Sequence, residues 1–291
     1  MNINIIDYRG DNTIANSRGD SLFDYRTRYF IKQQQDFHHW QKHGHKFICF
    51  TQHHDDDNFD GFDGVVPIAR GTCDQSRNAV FEYYKHKSIC DWEWMGLWDN
   101  DSTLYWNKYN SSLVPEKLDE ICAQAKQQGI AGWVPFNPQQ SPYVDVDLDI
   151  WSFKPTLHLK GSMMFLHNEH QMYDTSFAYH GGDLRYAIEL TRKGKKCAWL
   201  EQVVLNEMTT AKSTVFQINA YHEEYKNPGP NANPKGLLKW DSTIARRERL
   251  KVHFDHIKTT TGLTVQDWQK RQRNLWKSDG TTYTQLFEET Q

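Results

Sequence analysis

The sequence lacks any long apolar run. Its 291 residues contain no stretch near the roughly 20 apolar residues that a transmembrane helix needs. The opening segment MNINIIDYRGDN reaches a charged side chain at Asp7, too early for the apolar core of a secretory signal peptide. We therefore expect neither a membrane span nor secretion.

Cysteine is scarce and poorly spaced for cross-linking or metal binding. The five cysteines are odd in number, widely scattered and without a C-x-x-C pair. Disulfide frameworks and zinc knuckles need paired cysteines at regular spacing, so neither is expected. This usage fits a reducing compartment, and we predict a cytoplasmic protein.

The formal net charge is only −3, but the charge is unevenly distributed. Residues 226–291 carry 12 Lys/Arg and 7 Asp/Glu, a balance of +5, which leaves 22 and 30, a balance of −8, for residues 1–225. The change falls at KNPGPNANPKG (226–236), whose Pro, Gly and Asn favour a loop. We predict a main domain over 1–225, followed by a linker and a basic helical extension over 226–291. The alternative interpretation of this extension is a solvated helical appendage that merely packs on the main domain.

Strand and helix patterns alternate along the first 130 residues. Strand candidates are INII (3–6), KFICF (46–50), VVPIA (65–69) and WEWMGLW (92–98), and helix candidates are 22–43, 74–87 and 115–128. Gly44 and Gly129 are placed to end the first and last helix. The alternation predicts an α/β fold with a mixed, mostly parallel sheet flanked by helices. In such folds ligands bind at the carboxyl ends of the strands.

Two carboxylates directly follow the fourth strand candidate, in LWDND (97–101). Asp and Asn are common in turns, so the pattern alone is weak. At the predicted ligand edge, however, Asp99 and Asp101 are hard oxygen ligands suited to Mg²⁺ or Mn²⁺. An ion held by one or two carboxylates completes its shell with phosphates and water, which indicates a nucleotide diphosphate as the ligand.

A second acidic stretch, HHDDDNFDGFDG (53–64), follows the second strand candidate. Its Asp56, Asn58, Asp60 and Gly61 match positions 1, 3, 5 and 6 of an EF-hand loop, but Pro67 stands at the twelfth position, where a Glu is required. We therefore expect either a solvated loop or a loop at the ligand edge of the sheet.

Four segments, in this order, resemble the GT-A glycosyltransferases, which transfer a sugar from a nucleotide-sugar donor. They are DYRGDN (7–12) after the first strand, ARGTCDQSRNAVFEYY (69–84), LWDND (97–101) and HGGDLRYAIELTRKGKK (180–196). The second is similar to the family's small-residue turn and Arg-Asn helix start, the third to its Asp-x-Asp motif, and the fourth to its later Gly-Glu/Gly-Asp helix. The resemblance covers about residues 1–225 and implies a Rossmann-like GT-A fold that binds a UDP-sugar and Mn²⁺ or Mg²⁺.

The resemblance also implies roles for single residues of the donor site. Asp101 would be the direct metal ligand, while Asp99 would contact the ribose, the sugar, or the metal directly or through water. Arg77, near a helix N-terminus, would face the diphosphate. The remaining implied contacts are Tyr8, Arg9 and Asp11 with the base, Asp56 as a looser candidate there, Asn100 with the donor, and His222 as a further metal ligand.

Asp183 begins the last matched helix, after Gly181 and Gly182. From its position alone it could simply be an N-cap. The resemblance implies instead that it meets the acceptor as general base, with the two glycines leaving room for the acceptor. Many relatives have Gly-Glu-Asp here, so this sequence lacks one acceptor-binding carboxylate.

A more specific resemblance is to compact phage glycosyltransferases that add arabinose or glucose to hydroxymethylcytosine in DNA. It rests on size, intracellular character and a Tyr- and Trp-rich composition, without a diagnostic motif. It implies a double-stranded DNA acceptor in the host cytoplasm and no membrane partner. The basic extension offers phosphate contacts through Arg246, Arg247, Arg249, Lys251 and the segment QKRQRNLWK (269–277). The overall charge of −3 is unlike that of dedicated DNA-binding proteins.

Two other classes fit the same paired acids. A metal-dependent nucleotidyltransferase would use a related sheet to activate nucleoside triphosphates and would release pyrophosphate. In a noncatalytic sugar- or nucleic-acid-binding module the acids would be structural, and no metal would bind.

Overall fold

The computed structural model describes residues 1–7, 22–53, 58–69, 73–86, 93–100, 102–106, 111–112, 115–136, 151–159, 161–167, 171–175, 182–207, 251 and 254–277. Its strands are β1 (Asn2–Asp7), β2 (Lys46–Thr51), β3 (Gly64–Pro67), β4 (Trp94–Asp99), β5 (Ser102–Trp106), β6 (Ser111–Ser112), β7 (Ile130–Phe136), β8 (Phe153–Pro155), β9 (Met163–His167) and β10 (Lys196–Glu207). Its helices are α1 (Leu22–Gln34), α2 (Phe37–Lys42), α3 (Cys73–His86), α4 (Pro115–Gln127), α5 (Gly182–Arg192) and α6 (Val265–Lys277). Residues 254–261 are also helical.

The ten strands form one sheet in the order β3-β2-β1-β4-β9-β7-β10-β5-β6, with β8 paired to β10 beside this path. Seven of them, β1 to β4, β6, β7 and β10, run in one direction, and β5, β8 and β9 run in the other. Helix α3 contacts β1 and β2, α4 contacts β7, and α5 contacts β10. The predicted mixed, mostly parallel sheet flanked by helices is confirmed.

The central strands are apolar on both faces, because helices or loops cover both sides of the sheet. The buried apolar side chains form two large core clusters. Ile5 of β1 and Trp98 of β4 belong to one cluster, and their neighbours Ile6 and Leu97 belong to the other. Side chains alternate across a strand, so the two clusters lie on opposite faces. On one face the rings of Trp133 and Phe165 stack with centroids 4.1 Å apart.

The predicted helices are present, with one difference. The single helix expected over 22–43 is two helices, α1 and α2, because the chain turns at residues 35 and 36. Gly44 and Gly129 follow α2 and α4 with φ of +84° and +67°, a backbone conformation that glycine adopts without strain. Both glycines therefore end helices as predicted.

The described part of the basic extension packs against the main sheet. Val265 and Trp268 of α6 and Ile257 of the preceding helix join Leu157 and Ile188 in a third apolar cluster. The predicted boundary near residue 225 lies outside the described residues. In the parts of the chain that are described, no helix has the length and apolar character of a membrane span, and Cys49, Cys122 and Cys197 are buried free thiols.

Candidate active site at the carboxyl edge of the sheet

The strand order reverses at β1, which pairs with β2 on one side and with β4 on the other. In open α/β sheets, ligands bind outside the carboxyl ends of the strands at such a switch point. The register places Asp7 beside Thr51 and Ile6 beside Asp99. Polar residues at the ends of β1, β2 and β4 therefore meet at one edge of the sheet, where the sequence places LWDND.

Asp7 anchors this edge although sequence reasoning assigned it no role. Its carboxylate is fully buried and accepts hydrogen bonds from Thr51 Oγ1 at 2.8 Å and from Asn100 Nδ2 at 3.1 Å. The amide of Asn100, predicted to contact the donor, is thus directed at β1 and only 3% of the residue is exposed. The sequence feature that could have identified Asp7 is its position as a carboxylate at the end of an apolar strand.

A second residue that sequence reasoning missed holds the turn after β4. Gln33 of α1 is buried, and its Nε2 donates to the backbone oxygens of Asp99 at 3.0 Å and Ser102 at 2.7 Å. The two acceptors are the last residue of β4 and the first residue of β5, so Gln33 joins α1 to both of these strand ends. Nothing in the sequence around Gln33 indicates this role, because the contact spans 66 residues.

Arg77 of α3 lies at the centre of the site, surrounded by carboxylates. Its guanidinium is 3.2 Å from Asp183, 3.5 Å from Asp99 and 3.5 Å from Asp74. Only 6% of the Arg77 side chain is exposed, and it also lies 5.5 Å from the centre of the Tyr173 ring. The structure thereby brings together three residues that the sequence placed in one site: Arg77, Asp99 and Asp183.

A second buried arginine, also missed from the sequence, extends the cluster. Arg185 of α5 is 3.7 Å from Asp74 and donates to the backbone oxygen of Asp174 at 3.0 Å. Positive and negative groups therefore alternate from Asp99 through Arg77, Asp74 and Arg185. Buried ion pairs are costly to desolvate, and removing one partner is strongly destabilising because it leaves an uncompensated charge.

Burial raises the pKa of the Asp74 carboxyl to about 6, and the nearby Arg77 opposes that rise. The negative charge of Asp183 adds to it. Burial also raises the pKa of Tyr173 well above its ordinary value. The charge of Asp74 therefore changes near pH 6.

Two glycines allow the charged groups to meet. The backbone N–H of Gly161, just before β9, donates to Asp183 Oδ2 at 2.9 Å. A Cβ atom at Gly161 would collide with the Arg77 guanidinium, and one at Gly182 would collide with the Asp74 carboxylate. The space beside Gly182, expected to receive an acceptor, is occupied on this side by Asp74.

Of the remaining predicted site residues, the structure describes Lys251, which is exposed and helical. Tyr8, Arg9, Asp11, Asp56, Asp101, Gly181, His222, Arg246, Arg247 and Arg249 lie outside the described residues, so their roles stay predictions. Among the side chains that are described, no group of three His, Cys, Asp or Glu is arranged to hold a metal ion.

No family model and no curated protein matches the chain. Among solved structures, it is similar to GalNAc-T7 crystallised with UDP, GalNAc and Mn²⁺, at 11% identity and a TM-score of 0.45, over 87% of this chain and 54% of that one. It is also similar to residues 1–349 of S. aureus TarS, at 8% identity and a TM-score of 0.45, over 98% and 91% of the chains. The chain thus spans about half the length of the GalNAc-T7 structure.

Gly161→Ala and Gly182→Ala should each lower the free energy of unfolding by about 1–3 kcal/mol, because the added methyl group separates a buried ion pair or displaces a held side chain. Urea denaturation measures the change. Gly64→Ala is the matched control, since a Cβ there meets nothing within 4 Å. If all three variants were equally stable, the close packing of this cluster would be disproved.

The raised pKa of Asp74 predicts a pH dependence of stability. Since the folded-state pKa of about 6 exceeds the ordinary value of 3.8, the folded protein binds the proton more tightly. The resulting stabilisation is complete below the ordinary pKa and is lost as pH rises through about 6. The free energy of unfolding of the wild type, relative to that of Asp74→Asn, should therefore fall between about pH 4 and pH 7. Denaturation experiments at several pH values across this window measure the difference. A difference that rises with pH would contradict the raised pKa of Asp74.

Proposed function

We propose that the protein is a metal-dependent glycosyltransferase of the GT-A type that moves a sugar from a UDP-sugar to a hydroxyl acceptor. The observation that carries this proposal is the position of Asp99 and Asn100 at the end of β4, at the switch point of the sheet. Gln33 donates to the backbone oxygen of Asp99, and Asn100 donates to Asp7. Arg77 lies between Asp99 and Asp183. A strand end fixed in this way suits a carboxylate that must hold its position against a charged ligand.

The donor would bind along this edge. Asp101 would be the direct ligand of Mn²⁺ or Mg²⁺, with Asp99 and His222 beside it, because carboxylate oxygens suit these hard ions. The surroundings of Asp99 support a secondary role for it in metal binding, since its carboxylate already lies 3.5 Å from Arg77. When bound, the ion would neutralise charge on the diphosphate leaving group. Tyr8, Arg9, Asp11 and Asp56 would contact the base.

Asp183 would accept the proton of the acceptor hydroxyl. One carboxylate oxygen lies 3.2 Å from Arg77 and the other accepts the Gly161 N–H at 2.9 Å, so the group is held in one orientation. About 23% of its side chain remains exposed, which leaves a face that an acceptor can approach. A general base must lie within hydrogen-bond reach of the hydroxyl, and a fixed carboxylate meets this requirement.

For the acceptor we propose hydroxymethylcytosine in double-stranded phage DNA, with arabinose or glucose as the sugar. The support is the basic character of residues 226–291, including Arg246, Arg247, Arg249 and Lys251. Those cations would contact phosphates, and Gly181 would border the acceptor, since Gly182 is buried against Asp74. To be modified, the base must be reached in the major groove or flipped out of the stack.

The test of the proposed function is incubation with a panel of nucleotide sugars and Mn²⁺, with unmodified and hydroxymethylated duplex DNA, followed by mass spectrometry of the nucleosides. We expect a sugar only on hydroxymethylcytosine. Asp101→Asn should nearly abolish transfer and weaken Mn²⁺-dependent UDP binding in calorimetry, because it removes charge while preserving size. Unchanged binding and transfer in this variant would refute the metal site. Pyrophosphate release from triphosphates would indicate a nucleotidyltransferase instead.

Asp183→Asn should lower transfer by roughly 10²–10⁴-fold while leaving the Kd for UDP and Mn²⁺ near its wild-type value, because the amide cannot accept the proton. Asp174→Asn is the matched control, since this carboxylate is about half exposed and lies 4.0 Å from Arg185. Single-turnover transfer rates compare the two variants. Equal rates in both would remove Asp183 from the chemistry.

A further inference from the structure

A dense group of cations lies away from the candidate active site. We name it the basic patch. It consists of Arg192, Lys193, Lys195 and Lys196, at the end of α5 and the start of β10, together with Lys270, Arg271, Arg273 and Lys277 of α6. The two segments 189–196 and 265–277 carry eight cations and only two carboxylates, Glu189 and Asp267. The first four cations stand in HGGDLRYAIELTRKGKK, but the donor-site resemblance assigns them no role.

Specific contacts join the two halves of the basic patch into one surface. Gln272 of α6 is buried, and its Nε2 donates to Thr191 Oγ1 at 2.9 Å and to the backbone oxygen of Lys195 at 3.2 Å. Lys196 lies over the ring of Trp276, with 5.8 Å between its Nζ and the ring centre. The α5–β10 turn and the C-terminal half of α6 are therefore held side by side.

The apolar face of α6 is turned to the protein and its cationic face is turned outward. Val265, Trp268, Gln272 and Leu275 are buried. Lys270, Arg273 and Lys277 are exposed and follow each other at i, i+3 and i+7, so they lie along one face. Their Cα atoms span about 10 Å along the helix axis, close to three base-pair steps of about 3.4 Å each.

The basic patch and the candidate active site lie at opposite edges of the sheet. Asp183 begins α5 beside Arg77, whereas Arg192 ends it. An eleven-residue helix is about 16 Å long. Lys196 pairs with Ile130 at the start of β7, which is the amino edge of the parallel strands. A ligand on the basic patch is therefore distinct from the donor and from the reacting hydroxyl.

We infer that the basic patch binds the sugar-phosphate backbone of nucleic acid as a surface separate from the active site. Eight cations against two carboxylates match a repeating anion, and exposed Gln266 and Gln269 beside the cationic row supply hydrogen-bond donors for phosphate oxygens. An anionic membrane would be favoured by apolar side chains that insert beside the cations. The described exposed large apolar residues, Ile31, Val65, Met172 and Phe254, are not part of the basic patch.

This inference does not depend on the proposed sugar transfer. Contact at the amino edge would retain a nucleic acid near the enzyme without presenting a base to Asp183. Half of the basic patch lies in the segment 269–277, for which the sequence already predicted phosphate contacts. The structure adds the four cations of 192–196 and places both halves at the amino edge of the sheet. Arg246, Arg247 and Arg249 are not part of the basic patch, so the two sets can be separated by substitution.

The test uses the full chain and a fluorescently labelled, unmodified 20-base-pair duplex, titrated by anisotropy at several salt concentrations. The patch variant Lys270→Gln, Arg273→Gln and Lys277→Gln should raise Kd by about 10-fold or more at low salt. It should also flatten the slope of log K against log salt by up to about 2.7, three contacts at 0.9 each. The matched control replaces three exposed lysines elsewhere, Lys32, Lys42 and Lys85, by Gln.

Equal Kd values and salt slopes for the patch and control variants would overturn the inference. A loss confined to Arg246→Ala, Arg247→Ala and Arg249→Ala would also overturn it and place the contact in that segment. Wild-type protein that binds vesicles containing anionic lipid but not the duplex would assign the basic patch to a membrane instead. Circular dichroism melting and calorimetry with UDP and Mn²⁺ are expected to be unchanged in the patch variant, so its failure is distinguishable from failure of the proposed function.

Discussion

The site depends on one buried cation, the guanidinium of Arg77, and on the carboxylates that compensate it. Arg77 comes from α3, Asp99 from the end of β4 and Asp183 from the start of α5, so a single charged group sets the relative position of three elements. Because an uncompensated buried charge is expensive, none of these contacts can be lost alone without cost. Even the backbone is adapted to them, as the missing side chains of Gly161 and Gly182 show.

The same cluster constrains the chemistry that the site can perform. Arg77 was expected to face a diphosphate, but its guanidinium already has three carboxylates within 3.5 Å. Its charge is therefore partly neutralised by the protein, and a bound phosphate would have to compete with those carboxylates. Asp99 has an arginine partner as well, so its negative charge is also partly compensated by the protein.

The sheet separates two kinds of surface. Its carboxyl edge at β1 and β4 carries Asp7, Asp99 and Asn100, while its amino edge near β7 and β10 carries the basic patch. Helix α5 connects the two edges, with Asp183 at its first turn and Arg192 at its last. This arrangement also suits the helix dipole, which favours an acid at the N-terminus and cations at the C-terminus.

Local sequence patterns predicted β1 to β4 and the helical segments that form α1 to α4, because an apolar strand or a glycine-terminated helix is specified by neighbouring residues. They missed the two strands β5 and β6 and the turn that separates α1 from α2. LWDND likewise indicated that Asp99 stands at the end of a strand, as it does in β4. Tertiary structure alone decided that Asp7 would receive Asn100, that Gln33 would hold the turn after β4, and that Arg185 would join Arg77 through Asp74. These contacts join residues far apart in the chain, and their stability comes from burial and charge compensation in the folded protein. No short segment of sequence contains that information.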